Sequence, residues 1–300
     1  MALWIPVTIA AAVFQTLRFM LQKHLSTGQL SAAGATFARF AYSAPIVLVL
    51  TALWLGASGQ PVPEMDGRFW AFALMGGLAQ ILATVCVVLL FKQRNFAVGI
   101  TFKKTEVIQT VFVGLILLGE GVSGPAFGAI LLGLVAVLLL SRTPGSANSW
   151  WTDLAAPATG LGLASGVLFA VSAVSYRGAS LQLDMAEPAL RAAVTLAAVT
   201  SSQMIGMGLW LAWRDRAELA AVWRARRVAV WVGLMSMGGS FCWFFAFTLQ
   251  NAAYVKALGQ IELILSLLAS ILVFREKVTA REIGGMALLG VSILALIVAV

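Results

Sequence analysis

Lys103, Lys104 and Glu106 interrupt an otherwise apolar stretch that runs from Phe96 to Leu118, within the segment ITFKKTEVIQT at 100–110. On a helix, residues three apart share a face, so Lys103 and Glu106 can pair. Glu262 stands in a second apolar stretch. In such surroundings a carboxylate can carry a proton or meet a cation, and a lysine can hold a carboxylate or a phosphate. Two readings stay open at this point. One is a buried ion pair or a helix cap. The other is a polar cavity wall that touches a small molecule or a coupling proton.

Other charged residues offer less. Arg39, Arg191 and Lys256 fall near the ends of predicted helices, where long side chains reach back to the interface. They are candidates for binding, but a structural role weighs more for each. Glu120 and Glu276 close two predicted helices and are expected to set loop or gate geometry. His24, the one histidine, falls at the end of the first predicted helix.

The elements that position these residues follow from composition. Of 300 residues, 61% are hydrophobic and 11% charged, against about half and about a quarter in soluble domains. The apolar excess covers the whole length, which predicts an all-α polytopic membrane protein. A net charge of +8 sits in short basic tracts between apolar runs, such as KQRN (92–95) and WRARR (223–227). That pattern orients membrane proteins and gives no surface for nucleic acid. Cys86 and Cys242 lie inside apolar runs and are expected to be packing residues. No cleavable signal peptide is expected, because the apolar start lacks a basic leader.

A bilayer core of about 30 Å needs about 20 apolar residues per helix. Ten spans are predicted: 3–22, 33–56, 68–91, 96–118, 123–141, 155–178, 188–213, 228–250, 253–274 and 279–299. Lysines and arginines collect in odd-numbered loops, which predicts those loops to be cytoplasmic and both termini periplasmic. Trp54, Trp70, Trp150, Trp151, Trp210, Trp213 and Trp223 fall at span ends, as an interfacial belt would. The aromatics Phe14, Tyr42, Tyr176, Trp243 and Phe244 lie on candidate wall helices and are pocket candidates.

The chain matches itself at an offset of 156. Gly77 meets Gly233, Cys86 meets Cys242, Asn95 meets Asn251, Glu106 meets Glu262, Glu120 meets Glu276 and Gly128 meets Gly284. With only 12 acidic residues in the chain, two glutamates 14 apart in each half stand above chance. Five spans per half is an odd number, so the second half is expected to enter the membrane inverted. The division falls at 1–145 and 146–300. Inverted repeats are common in secondary transporters, which bind near the midplane where the repeats meet.

The stretches TEVIQTVFVGLILLGEGVSGPAFGAILLGLVAVLL (105–139) and IELILSLLASILVFREKVTAREIGGMALLGVSIL (261–294) resemble the signature of the drug/metabolite transporter superfamily, EamA branch. The signature's proline after the first glutamate is replaced by Val107 and Leu263. The resemblance implies ten helices around a central cavity walled by helices 1–4 and 6–9. Within the family the chain is similar overall to bacterial ten-helix amino-acid exporters. That likeness implies an inner-membrane secondary transporter, a monomer, that exports amino acids or related small metabolites by alternating access. The alternative is exchange of phosphorylated or nucleotide-linked metabolites. The presumed wall carries more cations than carboxylates, which suits a zwitterion or an anion. No Walker motif, HExxH or metal-ligand cluster occurs in the sequence, so neither an enzyme nor a cofactor is expected.

Overall fold

A computed structural model describes residues 2–28, 30–91, 102–141, 157–265 and 280–300. Among these residues every regular element is a helix. In chain order they are α1 (Trp4–Gly28), α2 (Ala32–Ser58), α3 (Gly67–Phe91), α4 (Glu106–Leu118), α5 (Gly124–Ser141), α6 (Pro157–Gln182), α7 (Pro188–Arg214), α8 (Arg216–Arg224), α9 (Arg226–Leu249), α10 (Ala252–Gly259) and α11 (Ala280–Ala299). Six of them, α1, α2, α3, α6, α7 and α9, are long and apolar enough to cross a membrane. Shorter apolar helices occupy Glu106–Leu118, Gly124–Leu140 and Ile283–Ala299.

Their outer faces are apolar as well. Leu48, Leu53, Leu78, Ile116, Leu209 and Val298 are among many large aliphatic side chains left exposed. Soluble monomers do not leave contiguous apolar surface on that scale, whereas lipid solvates it. Composition, helix length and this outer face fit a membrane-embedded protein. Trp70, Trp210, Trp213 and Trp223 are exposed. Trp54 is half-buried instead, its ring 6.3 Å from that of Phe241.

Local chemistry fixes several helix ends. Ser31 caps α2, its hydroxyl accepting from the Gly34 N–H at 3.0 Å. Gly119 ends α4 at φ 67°, a conformation that favours glycine. The N–H of Gly119 donates to the Leu115 carbonyl, the single bond of an αL cap, and that of Glu120 to the Gly114 carbonyl. The LLGEG sequence thus stops the helix and sets Glu120 just beyond it. Asn251 restarts the chain after α9, its side chain accepting from the Ala253 N–H at 2.8 Å. The short α8, absent from the predicted spans, carries Glu218, which accepts from the Ser31 N–H at 2.7 Å and so ties α8 to the start of α2.

Helix packing has a definite pattern. The most extensive contacts are α1 with α9 and α3 with α6; α2 lies along α7, and α5 along α11. Further contacts join α4 to α6, α1 to α10, and α4 to α10. Glycines permit the closest approaches. A Cβ on Gly233 of α9 would lie 2.5 Å from the Tyr42 Cβ and 3.0 Å from its carbonyl carbon. On Gly178 of α6 it would lie 2.9 Å from the Phe72 ring. Cys86 and Cys242 are free thiols.

The expected first span, 3–22, agrees with the apolar span Trp4–Gln22, and the α1 helix itself continues to Gly28. One expectation about spans needs correction. The fourth predicted span is interrupted: residues 102–103 are helical, Lys104 and Thr105 form a turn, and α4 begins at Glu106. A matching interruption falls at Gln260, between α10 and helical residues 261–265.

Candidate functional site

The charged residues of FKKTEV are buried. Lys103, Lys104 and Glu106 are exposed by 3%, 4% and 4% respectively. The turn at Lys104–Thr105 places them there. The Thr105 N–H donates to the Phe102 carbonyl at 3.1 Å, a tighter bond than the helical ladder makes. The Thr105 hydroxyl donates to the same carbonyl at 2.7 Å and accepts from Gln109 at 3.1 Å. At the second interruption the Gln260 N–H donates to Ala257 at 3.2 Å, and the Leu263 N–H to Gln260 at 3.0 Å. Backbone irregularity at membrane depth is tolerated where protein or a polar cavity surrounds it.

Two of the three ion pairs at this level join distant parts of the chain. Lys103 Nζ lies 3.3 Å from Glu106 Oε2, and Lys256 Nζ lies 3.7 Å from Glu106 Oε1. The first is a charge contact without hydrogen-bond alignment, since Glu106 Oε2 has no hydrogen-bond partner among the described residues. Lys104 is ion-paired with Glu262. The Gln15 amide donates to the other Glu262 oxygen at 2.9 Å. Aromatic faces complete the surroundings. Lys256 Nζ is 4.9 Å from the Trp243 ring and 5.5 Å from that of Phe169, and Lys103 Nζ is 5.0 Å from Phe169. Such stacking favours a desolvated cation.

A cavity opens beside this cluster, walled by α1, α2, α3, α6, α9 and α10. Gln15, Arg18, Arg39, Gln80 and Lys256 supply its polar wall, and Phe169, Tyr176, Trp243, Phe244 and Phe247 its aromatic one. Tyr176 is fully buried and stacks on Phe244 with ring centroids 4.2 Å apart. The free space is about 30 Å³, more than the ~10–15 Å³ a single water needs. A space of that size is too small for an amino acid or a phosphorylated metabolite.

Arg39 and Lys256 depart from the expectation that they reach back to the interface. Arg39 is 4% exposed, and its Nε, Nη1 and Nη2 donate to Ser236 Oγ, Thr84 Oγ1 and Ser240 Oγ at 2.6, 3.3 and 3.0 Å. Lys256 is 7% exposed. Neither can extend to water because other helices cover the helix ends that carry them. Arg191, aligned with Arg39 in the sequence, behaves differently: it donates to the Met185 carbonyl at 2.7 Å and fixes the loop before α7.

Among the aromatic candidates, Tyr176, Trp243 and Phe244 line the cavity, whereas Phe14 and Tyr42 do not. Phe14 packs over Gly238 and Gly239 of α9, and Tyr42 donates to the Val222 carbonyl at 3.3 Å. Glu120 accepts on both oxygens from Arg177 Nε at 2.8 Å, while Arg177 Nη1 donates to the Phe247 carbonyl at 2.7 Å. This contact holds the α4–α5 loop to α6 and to the last turn of α9. Glu276 lies outside the described residues. Arg18, Gln15 and Gln80 line the cavity without having stood out in the sequence. Arg18 could have been found by the rule that singled out Lys103, a charge inside an apolar run. No three His, Cys, Asp or Glu side chains gather as a metal site among the described residues.

Fold and site together define a membrane-embedded helical protein with a charged, aromatic-walled cavity at its centre. No protein-family model and no curated protein matches the chain. A solved crystal structure is similar to it with a TM-score of 0.71, over 99% of this chain and 97% of its own, at 16% sequence identity. At that identity the likeness is one of fold.

Proposed function

We propose that this chain is a secondary transporter of the bacterial inner membrane. It moves amino acids or related small metabolites outward by alternating access. It is a ten-helix member of the drug/metabolite transporter superfamily, EamA branch, built from two inverted five-helix repeats at 1–145 and 146–300, with both termini periplasmic. The observation that carries this reading is the buried charge cluster beside a polar cavity in the middle of an apolar bundle. Charges at membrane depth are costly and mark pathways for substrate or protons.

Helix packing supports the repeat. Exchanging α1 with α6, α2 with α7, α3 with α9, α4 with α10 and α5 with α11 turns each principal contact into another. The α1–α9 pair becomes α6–α3, α4–α6 becomes α10–α1, and α2–α7 and α5–α11 map onto themselves. The two helix interruptions agree with it, since Lys104 and Gln260 are 156 positions apart. Broken helices at a repeat interface are a recurring way to build a transport site. Glu106 and Glu262 are the proton-coupling candidates. Lys103, Lys104 and Lys256 are their partners and can meet an anionic group of the cargo.

Transport by reconstituted protein tests this reading. Proteoliposomes preloaded with unlabelled amino acids or phosphorylated metabolites are expected to take up the labelled compound faster than protein-free vesicles. Equal uptake in both, with folded protein and every cargo class, overturns the transporter reading. The exchange of phosphorylated cargo is the second reading, and the arginines of the cavity favour it.

A further inference from the structure

Among the described residues, the centre of the bundle holds more positive charge than its carboxylates can offset. Lys103, Lys104, Lys256, Arg18 and Arg39 are all buried. Among the described residues, Glu106 and Glu262 are the carboxylates paired with any of them. A buried lysine can shed its proton, but a guanidinium keeps its charge. The two arginines therefore decide the balance, and neither has a carboxylate at ion-pair distance among the described residues.

Both arginines are held by neutral groups. Arg39 gives its contacts to three hydroxyls, those of Ser236, Thr84 and Ser240. Arg18 donates to the Gln22 side-chain oxygen at 2.6 Å, and its guanidinium lies 4.2 Å from the Phe19 ring. A guanidinium carries five N–H donors, so each keeps some for another acceptor. Both line the same cavity. Arg18 stands ten residues before the end of α1 and Arg39 seven after the start of α2. At about 1.5 Å per residue their helix positions lie within about 5 Å in depth. Trp243, also on the cavity wall, has an indole N–H without an acceptor among the described residues.

We propose that Arg18 and Arg39 form a seat for a doubly charged oxyanion group of the cargo, a phosphate monoester. Lys256 stands at its edge, and Phe169, Tyr176 and Trp243 cover the less polar remainder. Two fixed guanidiniums match two charges on one group, and their forks match its oxygens. A single carboxylate leaves one guanidinium unpaired in a medium that penalises it. Serine hydroxyls that accept from Arg39 can donate onward to the same oxyanion. This inference rests on the transporter reading and, for its cargo, takes the second alternative, the phosphorylated metabolite, over the amino acid.

Binding to purified protein in lipid nanodiscs tests the seat. The probes are glycerol 3-phosphate, succinate as a dicarboxylate and threonine as a neutral zwitterion, compared by calorimetry at one ionic strength. Glycerol 3-phosphate is expected to bind at least ~10-fold more tightly than threonine and more tightly than succinate, whose charges are spread over two carboxylates. Arg18→Gln and Arg39→Gln are each expected to weaken it by ~10-fold or more, and Arg39→Lys by less. Threonine binding as tightly as the phosphate ester overturns the proposal, as does succinate binding more tightly. Wild-type affinity in both glutamine variants, shown monodisperse and helical, also overturns it. Counterflow of threonine untouched by glycerol 3-phosphate sinks the seat while leaving the transporter reading in place. Absence of counterflow with every probe takes both down.

Discussion

Lys256 Nζ stands 3.7 Å from Glu106 Oε1, and Glu262, the match of Glu106 in the second half, is ion-paired with Lys104 of the first. Each glutamate of the matched pair thus takes a lysine from the other half of the chain. These contacts cross the plane where α4 meets α10. Any movement of one half against the other must stretch or exchange them. That places the charge cluster where a transport cycle needs a contact that can be broken and remade.

Removing one carboxylate should leave buried cations without a partner. Glu106→Gln strips Lys103 and Lys256 together, and breaking a buried pair in this way costs about 3–5 kcal/mol. Unfolding in mixed detergent micelles is expected to report a loss of that order. The double variant Glu106→Gln/Lys256→Met should recover much of it. A single variant as stable as the wild type would mean that the pair does not hold the halves together.

Glycine substitutions separate close approach from open space. A Cβ on Gly233 meets the backbone of Tyr42, which cannot move aside as a flexible side chain could. Gly233→Ala is expected to cost about 1–3 kcal/mol as overpacking. Gly128→Ala and Gly284→Ala meet nothing within 4 Å and should leave the thermal midpoint where it was. Equal behaviour of all three variants would contradict this packing.

Arg177 ties three elements together: the α4–α5 loop, α6 and the last turn of α9. Its pair with Glu120 is partly exposed, at 14% and 25%, so little stability rides on it. Arg177→Gln frees the α4–α5 loop and removes the bond to the backbone carbonyl of Phe247, while leaving every side chain of the cavity wall in place. The expected result is a change of several-fold in maximal transport rate with substrate KM unaltered, measured in proteoliposomes. A shift in KM alone would mean that Arg177 acts on binding instead.

Basic residues between spans predict the orientation. A phosphatase reporter fused to the C-terminus is expected to be active and a fluorescent reporter at the same place dark, as a periplasmic end requires. A reporter in the basic WRARR segment at 223–227 should behave in the opposite way. The reverse pattern would overturn the orientation, and with it the count of spans.

Much of this was legible in the chain because lipid penalises charge so strongly that Glu106 and Glu262 stand out from their apolar runs. The breaks at Lys104–Thr105 and Gln260 were not. Neither lysine nor threonine disrupts a helix, and the turn is set by bonds to Phe102 and Gln109 that no spacing rule contains. Arg18 is not marked out by the sequence, because it falls four residues from the end of the predicted span 3–22, near the interface; in the folded protein it is buried. Phe14 and Tyr42 were indistinguishable from Tyr176 and Phe244 by residue type. Which side of a helix faces the cavity depends on neighbours that belong to the opposite half. For the same reason the self-match of the halves could align the glutamates without telling which lysine each would meet.

The central claim is that the cross-half charge cluster is the transport centre. Counterflow in proteoliposomes, run across a pH series for wild type, Glu106→Gln and Glu262→Gln, tests it most directly. The account predicts that each substitution slows counterflow at least ~10-fold or removes its pH dependence, in protein that reconstitutes as the wild type does. Wild-type rates and an unchanged pH profile in both variants would contradict it and leave the cluster a structural ion-pair network.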